Sequence, residues 1–249
     1  MLNVLLPIAG TSSLFDSKLY PYPIPLIEVL GKPIIQRVVE NLSEIGGELR
    51  FVFVVRAEDC RRFYLDNTLT LLTERPSEIV RLEGDTRGAL CSALMAITHI
   101  DNNDPLVVAN SDQLFEDVLP QSFSRIVQGD ADAGCLCFES VHPRWSYVRV
   151  EDGRVTEAAE KKPISRRAIA GFYYFATGHL FVQAAMKTIL SQRTVDDRYF
   201  IAPVFNELIL EGKRVLAVDL PPRSYVSFFT PQRIEEYERS AGASGVGNK

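Results

Sequence analysis

Apolar runs alternating with helical-period stretches set the frame of the first half of the chain. Leu2–Ile8 and Phe51–Val55 are short and almost wholly apolar, which predicts strands buried on both faces. Glu78–Leu82 and Pro105–Ala109 predict two more strands. Between them, Ile34, Ile35, Val38, Val39 and Leu42 recur at helical spacing, so a helix is expected from Pro33 to Ile45, closed by Gly46-Gly47. Pro33 suits its first turn. Ala57–Leu72 reads as a helix interrupted near Asn67, and Ala89–Ile97 as a helix of small and apolar residues. The order βαβαβαβ implies a parallel sheet with helices on both faces.

The second half reads differently. Ala133–Glu139, Tyr147–Glu151, Arg154–Ala159 and Ile169–Phe175 predict strands, with a tight turn at Asp152-Gly153. Helices are expected at His179–Leu190 and Arg198–Leu210, a strand at Arg214–Val218 and a last helix at Pro231–Ser240. Ala241–Lys249 is Gly- and Ser-rich and reads as a frayed tail. No repeat or long linker divides the chain. The expectation is one mixed α/β domain over residues 1–240, with a nucleotide-binding half at 1–130 and a substrate-covering half at 131–240.

Composition narrows the class. The 249 residues suffice for a full core, and 46% hydrophobic with 24% charged residues is a globular balance. A net charge of −5 argues against a nucleic-acid surface, which wants a basic stripe, but not against a single nucleotide in a local pocket. No apolar run approaches the ~20 residues of a membrane span, and the first run reads as a strand, not a leader. Cys60, Cys91, Cys135 and Cys137 lie in apolar or helical contexts and read as free thiols of a reducing cytosol. Cys135 and Cys137 would point the same way from one strand.

Chemistry is expected where small or charged residues interrupt the apolar runs. Ala9-Gly10-Thr11-Ser12-Ser13 after the first strand would let the backbone come close to a bound group. Asn110-Ser111-Asp112-Gln113 follows the fourth strand, where open α/β sheets gather ligands. Asp112 there either holds Mg²⁺ against phosphate or caps a helix starting near Gln113. Thr86 in Gly84–Gly88 is a candidate helix cap or part of a loop holding a base edge. Glu160-Lys161-Lys162-Pro163 is either a charged surface turn or a phosphate contact. Gly171, inside Gly171-Phe172-Tyr173-Tyr174, marks either a bulge or close approach of a ligand. Trp145, Ser146 and Tyr147 either pack on the second-half sheet or line a substrate pocket. His99, His142 and His179 read as structural.

Taken in order, LLPIAG, PLIEVLGKPII, TRGAL, PLVVANSDQ, HPRWSYVRV, EKKPIS, AGFYYF and APVFNELI resemble the sugar-phosphate nucleotidyltransferase family, in its bacterial capsule and surface-polysaccharide branch. The resemblance runs from Leu2 to about Glu236. It implies a Rossmann-like, GT-A-like domain with a mixed, mostly parallel sheet. It also implies transfer of NMP from an NTP to a sugar 1-phosphate or similar acceptor, with release of pyrophosphate. By that resemblance Ala9, Gly10, Thr11 and Ser12 touch the nucleotide, with Asn110 beside them. Thr86, Gly88 and Ala89 lie near the base, and Asp112 holds Mg²⁺. Ser146, Tyr147, Glu160, Lys161, Gly171 and Tyr173 face the phosphorylated acceptor. The setting implied is cytoplasmic, without membrane insertion, and a homo-oligomer stays open.

Departures from the family are specific. Leu14 stands where relatives carry Arg, and Ile24 where they carry Lys; Ser227-Phe228-Phe229-Thr230-Pro231 replaces an Asp-x-Gly-Thr-Pro run. Losing one preorganised donor to a developing charge costs roughly 10²–10³ in rate. Lys18, in the same loop, is the substitute cation expected to serve catalysis beside Asp112 and Lys161; Lys32 and Arg87 are the others. Two alternatives therefore remain: a relative that binds nucleotide or nucleotide-sugar without turning it over, as regulator or scaffold, and a glycosyltransferase.

Overall fold

The computed structural model describes residues 1–10 and 14–245. In chain order, β1 (Leu2–Pro7) leads through a 3₁₀ turn at Ile24–Leu26 to the short strands β2 (Glu28–Val29) and β3 (Lys32–Pro33), and then to α1 (Ile34–Ser43). β4 (Leu49–Arg56), α2 (Ala57–Phe63), α3 (Leu65–Leu72) and β5 (Ser77–Leu82) follow. After them come α4 (Ala89–Leu94), α5 (Ile97–Ile100), β6 (Leu106–Ala109), β7 (Gln113–Phe115) and α6 (Leu119–Gln128). The second half holds β8 (Ala133–Glu139), β9 (Ser146–Glu151), β10 (Arg154–Glu160), β11 (Arg167–Phe175), α7 (Gly178–Leu190) and α8 (Val204–Leu210). It ends with β12 (Val215–Asp219), β13 (Tyr225–Ser227) and α9 (Pro231–Gly245).

One nine-stranded sheet, ordered β10-β9-β11-β6-β1-β4-β5 with β8 and β12 branching from β11, carries the molecule. β5, β4, β1 and β6 are parallel, while β11 pairs antiparallel with β6, β8 and β9. The chain winds outward from β1 to β5, then returns to place β6 on the other side of β1. That reversal leaves a crevice at the carboxyl ends of β1 and β6. Alternate β1 residues enter two cores. Val4 and Leu6 meet Ile34, Ile35 and Val38 of α1, whereas Leu5 packs with residues of α4, α7 and α8 on the opposite face. The expected mixed α/β architecture, a central mostly parallel sheet flanked by helices, is present.

Several local expectations are corrected. The first helix starts at Ile34, because Leu30 and Gly31 both take positive φ (50° and 74°) and turn β2 back on β3. The interruption of Ala57–Leu72 falls at Tyr64, in the left-handed region at φ 54°, not near Asn67. Gly88, not Thr86, caps α4, and the Thr86 hydroxyl bonds Ser92 Oγ at 2.6 Å instead. No helix begins near Gln113: β7 intervenes, and α6 starts at Leu119. The helix expected from Arg198 starts only at Val204, with Pro203 at its N-cap and i→i+3 turns leading into it. The last helix continues to Gly245. The Asp152-Gly153 turn is as expected, with positive φ at both residues. All four cysteines are free; Cys135 and Cys137 are buried, their sulfurs 3.7 Å apart on one side of β8.

Candidate active site

The turn after β1 and the segment after β6 meet. Pro7, Ile8 and Gly10 line a cavity of about 260 Å³ together with Ile24, Pro25, Asn110, Ser111 and Asp112. Asn110 and Asp112 also line a second cavity, of about 540 Å³, whose other walls are Leu14, His142, Arg144, Trp145, Ser227, Phe229 and Thr230. Ala9 is half-buried beside Gly10. Thr11 and Ser12 lie outside the described residues.

Close packing behind Asp112 fixes its place. Asn110 N donates to Gly171 O at 2.9 Å, and Gln113 Nε2 donates to the same oxygen at 2.8 Å. A Cβ on Gly171 would fall 2.2 Å from Asn110 Nδ2 and 2.5 Å from Gln113 Oε1, and its φ is +56°. Only glycine lets β11 pass so near this loop. β13 pairs antiparallel with β7, Phe228 N donates to Asp112 O at 2.7 Å, and Tyr225 OH donates to Gln113 Oε1 at 3.2 Å. The carboxyl of Asp112 is held among these elements, and burial pushes its pKa up to about 6. Its charge in turn helps raise the pKa of the enclosed Tyr225 hydroxyl.

A second cluster stands at the ends of β9, β10 and β11. The Ser146 hydroxyl donates to Glu160, and Tyr173 packs against both. Burial raises the Glu160 carboxyl, with Ser146 and Lys161 acting against it. Tyr173 is raised far more, by burial first and by Glu160 second. Lys161, at φ 54°, donates from Nζ to Asp196 Oδ2 at 2.9 Å and stands 5.2 Å from the Phe200 ring. Its backbone N reaches Trp145 O at 3.0 Å, tying this turn to the wall of the larger cavity. Tyr147 is fully buried and donates to His142 O at 2.7 Å, bracing the same wall from below.

The expected residues are thus not all brought together. Gly10, Asn110 and Asp112 share one cavity; half-buried Ser146 and Glu160 group with buried Tyr173 outside both cavity linings; and Tyr147 lines neither cavity. Lys18 is exposed, its backbone N turned onto Asp16 Oδ1 at 2.9 Å, and it is absent from both linings. The Thr86–Ala89 turn lines neither cavity and is held by Tyr199: Tyr199 N donates to Arg87 O at 2.7 Å, and a Cβ on Gly88 would meet Tyr199 O at 2.4 Å. Ile24 lines the smaller cavity, and Leu14 and Ser227 line the larger. Sequence reasoning passes over Gln113 and Asp196. Gln113 was visible as a polar residue at a strand end; Asp196 is found only through the fold.

The donor set at Asp112 suits Mg²⁺. Among the described residues no group of three or more His, Cys, Asp or Glu could hold a metal alone. Mg²⁺ commonly takes one or two carboxylates and completes its shell with water and substrate phosphates. A single enclosed carboxylate, meeting no cation among the described residues and opening on a cavity of phosphate size, matches that requirement.

A sheet flanked by helices on both faces, with a carboxylate at its switch point, is the arrangement in which open α/β sheets gather ligands. A family model described as "Nucleotidyl transferase" matches residues 19–221, and the chain belongs to that family. Solved structures share its fold. A nucleoside-diphosphate-sugar pyrophosphorylase from Vibrio cholerae RC9 is 23% identical, with a TM-score of 0.83 over 95% of this chain and 99% of that one. A UDP-glucose pyrophosphorylase complexed with UDP-glucose is 19% identical, with a TM-score of 0.78 over 98% and 99%. A UTP-bound UGPase from Acinetobacter baumannii is 16% identical, with a TM-score of 0.74 over 98% and 94%.

Proposed function

We propose that this protein transfers a nucleoside monophosphate from an NTP to a sugar 1-phosphate or similar phosphorylated acceptor and releases pyrophosphate. An acceptor phosphate oxygen attacks the α-phosphorus in line; the new P–O bond forms as the bond to the β-phosphate breaks. The observation that carries this reading is the shared cavity of Gly10, Asn110, Ser111 and Asp112 at the switch point. Gly10 offers a side-chain-free approach to the nucleotide, and Asn110, pinned by Gly171, offers an amide. Asp112 would hold Mg²⁺, which supplies neutralisation of phosphate charge when bound. Ser146 and Glu160 would hold acceptor hydroxyls, and Lys161 would turn from Asp196 to meet the acceptor phosphate. Positioning and charge compensation carry such a reaction, with little covalent work for the protein. Surface-polysaccharide precursor synthesis in the cytoplasm is the setting we assign. It rests on the sequence resemblance.

The assay offers each NTP with Mg²⁺ and a panel of sugar 1-phosphates and follows pyrophosphate release. One productive pair is expected, with Asp112→Ala reducing its rate at least about 10²-fold. Ile24 and Leu14 on the cavity walls favour one second reading, a protein that binds the nucleotide without turnover. Silence across the panel, together with measurable NTP binding, would establish that reading instead.

A further inference from the structure

The larger cavity carries a cation that the reading above leaves unused. Arg144 lies in the loop between β8 and β9 and lines the cavity with Asn110, Asp112, Ser227, Phe229 and Thr230. Among the described residues lining the two cavities, it is the one Lys or Arg. Its neighbours Arg149, Arg166 and Arg167 each pair with a carboxylate, whereas Arg144 pairs with none among the described residues. It is nevertheless held. Its guanidinium carbon stands 4.2 Å from the centroid of Phe229 and 5.5 Å from that of Trp145, and those rings contact each other edge-on at 5.6 Å. Arg144 Nε donates to His142 Nδ1 at 3.3 Å. That uses one of five N–H donors and leaves four in the planar fork that suits phosphate.

We propose that Arg144 binds the terminal phosphates of the nucleotide, the pair that leaves as pyrophosphate, and that Phe229 is a positioning residue for it. The inference rests on the nucleotidyl-transfer reading. Gly10 lies in one cavity, Arg144 in the other, and Asn110 and Asp112 in both. A run of three phosphates laid from Gly10 past Asp112 ends in Arg144's cavity. Stacking on Phe229 restrains the side chain before binding, so less rotamer entropy is lost when phosphate arrives. A fork with no carboxylate partner gives up no ion pair to bind an anion. Arg144 is exposed, so changing it leaves the core intact.

The test is calorimetry of inorganic pyrophosphate with Mg²⁺ on the full chain at constant ionic strength. Arg144→Ala is expected to weaken binding about 10- to 100-fold, the range for hydrogen bonds to a charged group. Arg144→Lys should recover only part of that, because it restores charge without the fork. Phe229→Leu should weaken binding a few-fold, and the Arg144→Ala/Phe229→Leu pair should bind no worse than Arg144→Ala alone. A purely structural role for Phe229 would instead make the losses add. Lys213→Ala, an exposed control, should bind as wild type. Equal affinity in wild type and Arg144→Ala would overturn the assignment while leaving nucleotidyl transfer standing. A wild-type chain that binds no pyrophosphate would overturn it too, and the pyrophosphate-release assay then decides whether the functional reading falls with it.

Discussion

Gly171 and Asp112 are the residues on which the site depends, and each makes a separable prediction. A methyl at position 171 meets Asn110 and Gln113 well inside contact distance and forces a side chain into φ +56°. Gly171→Ala should destabilise the fold by about 2–4 kcal/mol, lowering the melting temperature by roughly 5–10 °C in a chain of this size. Asp112 behaves oppositely. Its carboxyl ionises near 6 when folded and near 3.8 in its ordinary state, so the folded protein holds this proton more tightly. In metal-free buffer its contribution therefore falls as pH rises from about 4 to about 6, and the penalty stays constant above that. Asp112→Asn should raise the melting temperature in EDTA at pH 8, and that gain should vanish by pH 4. Leu14 and Ile24 give a third test. Leu14→Arg with Ile24→Lys adds two cations to the cavity walls and should tighten NTP binding about tenfold or more; unchanged affinity would show a site rebuilt for another ligand.

Elements whose pattern is local were legible in the sequence; those defined by distant pairing were not. β1 and β4 announce themselves as nearly continuous apolar runs, and the α1 face by its period, because burial on two faces or one leaves a mark in the segment itself. β7 and β13 are three residues each and exist because they pair with one another across more than 100 positions. Nothing within Gln113–Phe115 says so. The same limit explains the site. Asp112 and Gly171 stood out by position, after a strand and inside one. Arg144 and Phe229 acquire meaning only when their loops are stacked, and the partnership of Lys161 with Asp196 is invisible from either segment. Tyr64 shows a smaller failure: the helix pattern runs through it, and its left-handed backbone overrides that pattern.

For the molecule as a whole, the site is a meeting of the first strand's turn, the segment after β6, the β8–β9 loop and the β13–α9 junction, so its assembly depends on the last helix coming home. Three of the contacts among the described residues show how α9 does this. Ile234 is buried, the Tyr237 ring meets Phe228 edge-on at 5.2 Å, and Glu238 accepts from Leu30 N at 3.1 Å, tying the C-terminal helix to the β2–β3 turn of the first half. Phe228, wholly buried, sits between the Ser227 and Phe229 positions that line the larger cavity, and its own N–H holds the Asp112 carbonyl. Ending the chain after Thr230 would expose Phe228 and free β13 from β7. The central strands β1, β4 and β6 keep their partners on both sides, so the sheet should persist. Amide exchange should therefore accelerate at Gln113–Phe115 and Tyr225–Ser227 while Val4–Leu6 stays protected, and Mg²⁺-dependent nucleotide binding should be lost with the sheet still folded. Uniform loss of protection would mean instead that α9 stabilises the whole domain and has no particular hold on the site.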